Sequence, residues 1–93
     1  MISFSELWEK CEQFFKDEQS KQPVSSLIDE LEYKIALYKV IDKKQDIPKE
    51  ERFKIKSRTL GEILLSLTNI SLIDDINVYD SLNQALQYRK VKK

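Results

Sequence analysis

The chain contains no histidine. That absence removes Ser-His and Cys-His nucleophile pairs, imidazole general bases and histidine-rich zinc sites together. Any catalysis therefore falls to carboxylates working with a hard cation such as magnesium. Cysteine occurs once, at Cys11, which rules out an internal disulfide and fits a reducing compartment, so a cytoplasmic location is expected. Cys11 itself reads as a small apolar residue on the first helix. One Gly and two Pro leave little material for tight hairpins. Sixteen Lys and Arg balance sixteen Asp and Glu, so no global field draws the chain to nucleic acid or to an anionic membrane. No apolar run approaches the ~20 residues that span a bilayer. The acidic, aromatic start also lacks the basic-then-apolar order of a signal peptide.

What is present favours helices. Leu, Glu, Lys and Gln are abundant, and all are good helix formers. The 93 residues suit a single all-helical domain, 1–93, with one core. Ser3 followed by Glu6 is a capping-box pattern, and it opens a helix over about 3–18 with an aromatic face of Phe4, Trp8, Phe14 and Phe15. After the polar connector Gln19–Gln22, Pro23 starts a second helix over about 23–43. Its core stripe is expected at Val24, Leu27, Ile28, Leu31, Ile35 and Tyr38. Pro48, with Glu50 and Glu51 behind it, starts a third over about 48–72. Leu60, Ile63, Leu64 and Leu67 mark its apolar face, with Glu62, Ser66 and Asn69 on the opposite one. Gly61, costly in mid-helix, is expected to let another helix approach closely. Asp74-Asp75-Ile76 breaks the pattern, Asn77 caps a fourth helix over about 77–89, and a basic tail follows. The expected fold is an all-α four-helix up-and-down bundle. The apolar arcs of the second and third helices are too wide for one small protomer to cover. A homodimer through these long middle helices is therefore expected.

One acid stands out. At about 100° per residue Glu30 falls within the widened apolar arc of the second helix, beside Ser26, Lys34 and Leu37. A carboxylate so placed costs several kcal/mol unless it is paired, protonated or bound to a metal.

The order of elements resembles the MazG-like, all-α nucleoside triphosphate pyrophosphohydrolases across nearly the whole chain. Thr59-Leu60-Gly61-Glu62-Ile63-Leu64 is similar to that family's E-L-G-D-V-L, and Asn69 to an asparagine that follows. Ser26-Leu27-Ile28-Asp29-Glu30-Leu31 aligns with its E-E-x-x-E-L, and Asp75–Leu82 with the G-I-D-L-x-x-A-L that opens its last helix. The resemblance implies a magnesium-dependent pyrophosphohydrolase acting on (d)NTP, with Glu30 and Glu62 as metal ligands. Arg58, Lys34, Ser66 and Asn69 would meet the substrate. Ser26, Leu27 and Thr59 stand where the family has three further acids, and no general base is identified. Two readings follow. One is a nucleotide pyrophosphohydrolase-related protein with a degenerate site. The other is a non-catalytic dimeric helical-bundle interaction module.

Overall fold

The computed structural model describes residues 2–18 and 22–91, apart from the side chains of Glu18 and Val91. The helices are α1 (Phe4–Glu18), α2 (Val24–Lys43), α3 (Lys49–Ile73) and α4 (Val78–Val91). No strand occurs among the described residues. The connector at 19–21 and the last two lysines of the basic tail lie outside them.

The helix ends follow from local chemistry. The Ser3 hydroxyl accepts the Glu6 amide at 3.2 Å, the first half of a capping box. Pro23 and Pro48 stand at N-cap positions with extended backbone, where the missing N–H is no loss. The end of α3 is a Schellman turn. Ile76 N–H returns to the Ser71 carbonyl at 2.9 Å and Asp75 N–H to that of Leu72 at 3.3 Å. Asp75 supplies the left-handed residue, φ 55, a conformation that Asp tolerates better than most side chains. Asn77 Oδ1 then caps α4, accepting the amides of Tyr79 and Asp80 at 3.0 and 3.1 Å.

α2 and α3 pack as an antiparallel hairpin, and α1 lies on another side of α3. Lys34 meets Glu62 and Ser66, and Asp42 meets Lys56, which sets the antiparallel register. α4 is held at its first turn. The Tyr79 ring lies tilted by 59° against Trp8 with centroids 6.5 Å apart, and its hydroxyl donates to the Ser5 carbonyl at 3.5 Å. Burial against α1, reinforced by the charges of Glu9 and Glu12, raises the Tyr79 pKa above its usual value.

The core differs from the expected one. Only Trp8 and Leu27 are buried among the apolar residues described, while Thr59, Ser66, Thr68, Asn69 and Ser71 are buried on α3. Leu60, Leu64 and Leu67 are 39–48 % exposed. On the face expected to be wet, Ser66 is buried beneath Lys34 of α2 and Asn69 is buried, while Glu62 stays exposed. Leu64, Leu67, Thr68 and Ser71 border grooves against α1. Small hydroxyl residues manage burial because they satisfy themselves along the helix. Thr59 and Thr68 donate to the carbonyls four residues back, and Ser71 to that of Thr68. Ile28 and Ile35, expected in the α2 core stripe, are likewise exposed, as are Phe4 and Phe14 on α1. A Cβ built on Gly61 meets nothing within 4 Å, so no helix of this protomer makes the close approach expected there. Among the described residues no helix is long and apolar enough to cross a membrane.

Near the loop end of the hairpin Lys56 Nζ lies 2.6 Å from Asp42 Oδ1 and over the Tyr38 ring at 5.3 Å. The hydrogen bond and charge of Lys56 hold Asp42 below its usual 3.8. The same contact holds Lys56 above its usual 10.5. Because the Asp42 pKa is lowered on folding, its contribution is present above about pH 4 and fades as pH falls through the folded value. Asp42→Asn is thus expected to lower Tm slightly at neutral pH. Its melting curve should converge on that of wild type below about pH 4, which thermal melts across pH 2–7 would show.

Candidate functional site

The residues picked out by the resemblance lie on α2 and α3, and the structure brings three of them together. The Lys34 ammonium donates to Ser66 Oγ at 2.6 Å and to the Glu62 carbonyl at 3.4 Å. It also lies 3.6 Å from Glu62 Oε2. The antiparallel register places these groups: Lys34 sits on the inner side of α2, and Glu62 and Ser66 lie one turn apart on α3. The Lys34 side chain is 24 % exposed and that of Glu62 53 %, so solvent screens the ion pair and it contributes little. The bond to buried Ser66 is charge-assisted and worth more, about 1–3 kcal/mol.

The other residues stand apart from this group. Glu30 is exposed, so the desolvation expected for it does not arise in the protomer. The contacts of Lys34 and Asp42 put the level of Glu30 on α3 near Thr68, six residues beyond Glu62 and about 9 Å along the axis. Arg58 is exposed, and Asn69 is buried at 6 %. No buried side-chain nitrogen or oxygen among the described residues lacks a partner.

This arrangement fits magnesium poorly. No cluster of three or more Cys, Asp or Glu side chains suited to a metal occurs among the described residues. Of the two expected ligands, Glu62 already faces an ammonium, and Glu30 lies at a different level of the hairpin. A hard divalent cation needs several oxygens converging at about 2.1 Å, and a lysine at the centre of the group opposes one electrostatically.

The site that sequence reasoning missed is apolar. Between α1 and the C-terminal half of α3, a groove of ≈ 460 Å³ is lined by Trp8, Leu67, Ser71, Val78 and Leu82 among others. A second, of ≈ 210 Å³, adjoins it at Cys11, Gly61 and Leu64. The signal available was Gly61 beside a leucine stripe, which reads equally well as a helix packed within the chain. No known protein family, curated protein or solved structure matches the chain.

Proposed function

We propose that this chain is a non-catalytic helical interaction module that works as a homodimer, with a MazG-like arrangement of helices and no pyrophosphohydrolase activity. The observation that carries this reading is the inversion of α3. Thr59, Ser66, Thr68, Asn69 and Ser71 are buried, while Leu60, Leu64 and Leu67 stand 39–48 % exposed. Exposed contiguous apolar surface on a small domain marks an interaction site. The size of the protomer agrees. Its radius of gyration is 15.6 Å, against about 12–13 Å for a compact chain of this length.

The chemistry of the hairpin supports the non-catalytic part. In the family resembled, the positions of Ser26, Leu27 and Thr59 carry acids, and here Lys34 engages one of the two acids that remain. The test is pyrophosphate release over a panel of canonical and modified (d)NTPs with magnesium, with Glu62→Gln alongside. The expected result is no release above the buffer rate from either protein, with light scattering giving twice 11.0 kDa. Magnesium-dependent release that disappears in Glu62→Gln would establish the enzyme reading instead.

A further inference from the structure

The exposed stripe of α3 has a period that an isolated helix does not need. Phe53, Ser57, Leu60, Leu64, Leu67 and Ser71 follow one another at alternating steps of four and three. This is the seam of a coiled coil; its first half is uncovered, while Ser71 is buried and α1 borders Leu64, Leu67 and Ser71 across the two grooves. Phe53 is 70 % exposed and the three leucines 39–48 %. α2 continues the same face. Ile28, Ile35 and Asp42 recur at seven-residue steps, and Asp42 is bound to Lys56, which neighbours Phe53 and Leu60 on α3.

The geometry points to a second copy of this chain as the occupant, its α3 lying antiparallel along this seam. The inference rests on the homodimer reading and adds its face, direction and register. The first support is area. The chain exposes 7752 Å², against about 5,600 Å² for a compact monomer of its mass. The excess, about 2,000 Å², is spread over the whole chain, the exposed α4 included, and is more than the ~800 Å² per partner of a standard interface.

Charge supplies the direction. Residues 49–58 carry Lys49, Arg52, Lys54, Lys56 and Arg58 against Glu50 and Glu51, while residues 61–75 carry Glu62, Asp74 and Asp75 and no cation. Antiparallel pairing brings the basic start of each α3 beside Asp74 and Asp75 just past the end of the other, with Glu62 near the two-fold axis, and parallel pairing sets like against like. Side-chain size supplies the register. About a two-fold axis between Leu60 and Leu64, Leu60 meets Leu64, Ser57 meets Leu67 and Phe53 meets Ser71, so bulky residues face small ones at both ends. Ser71 lines the ≈ 460 Å³ groove with Trp8, Leu67, Val78 and Leu82. Phe53 of the second copy therefore enters an apolar groove, as interface anchors do.

Disulfide trapping in the full-length chain tests this. With Cys11→Ser as background, Ser57→Cys and Leu67→Cys chains are prepared separately, checked for wild-type helicity, then mixed and oxidised. Antiparallel pairing predicts a disulfide-linked species of twice the chain mass in the mixture alone. Within one chain, positions 57 and 67 are about 15 Å apart along the helix, too far for a disulfide. Cross-linking of each variant with itself would overturn the antiparallel register. A dimeric protein with no cross-link in any sample would overturn this face while leaving the homodimer reading standing. A wild-type chain that is monomeric by light scattering would overturn both.

Discussion

Trp8→Ala is expected to remove about 3–5 kcal/mol of the chain's stability, a large share of a total that for small domains is commonly 5–15 kcal/mol. Trp8 is one of only two buried apolar residues described, and it joins three helices. It packs beside Phe4 at 5.8 Å on α1 and Tyr79 at 6.5 Å on α4. It also lines both apolar grooves against α3. The other buried apolar residue, Leu27, lies in the α2–α3 hairpin, so that hairpin should outlast the loss of α1. Urea denaturation followed by circular dichroism should show a lower midpoint, with part of the helical signal retained. Phe14→Ala is the matched comparison. Phe14 is 50 % exposed, and its truncation should cost about 1 kcal/mol or less. A Trp8→Ala midpoint within error of wild type would mean that α1 is docked by something other than this indole.

Leu64→Lys should convert the proposed homodimer into monomers, weakening association by at least about 100-fold. In the proposed pairing Leu64 meets Leu60 of the other copy twice across the two-fold axis. Each lost leucine contact forfeits about 1.5–3 kcal/mol, and each new ammonium would sit in an apolar seam without a partner. Leu64 also lines both grooves beside Trp8, so Leu60→Lys, at a position 48 % exposed and in neither groove, runs alongside and should dissociate the dimer in the same way. Light scattering should fall from twice 11.0 kDa to 11.0 kDa, with helicity preserved. Tyr33→Lys provides the contrast. Tyr33 is 69 % exposed but lies on the side of α2 away from Ile28, Ile35 and Asp42, so the dimer should persist. The opposite pattern, with Tyr33→Lys dissociating and Leu64→Lys not, would place the interface on the other flank of the hairpin.

The helices were legible because their ends are written in single residues. Ser3, Pro23, Pro48 and Asn77 each act within one turn, through a hydroxyl, a fixed φ or a side-chain amide, and tertiary structure has little power to overrule them. The inward face of α3 was not legible. A helix with leucines along one side and Thr59, Ser66 and Asn69 along another has two faces that can be buried. Periodicity records where apolar groups lie, not whether their cover comes from the same chain. Hydroxyls that bond to their own helix, as Thr59 and Thr68 do, remove the penalty that normally keeps polar residues out. Glu30, expected among apolar neighbours, is exposed for the same reason, because the apolar arc around it is open. Lys34 was picked out as a phosphate contact. Its position was readable, but its engagement with Glu62 and Ser66 depended on a helix register that no local signal sets.

The hairpin of α2 and α3 has a kinetic consequence. Its helices are neighbours in sequence, joined by residues 44–48, and they make the most extensive contact between helices. Closing so short a loop carries a small entropic barrier, and chains dominated by such local contacts fold in microseconds to milliseconds. The hairpin is thus placed to form first, at a rate independent of how many chains are present. Docking of α1 through Trp8 comes next. In the proposed dimer, pairing of two α3 seams would be a second-order event, slower in dilute solution and faster as chains accumulate, so the last stage of folding would be paced by encounter between molecules.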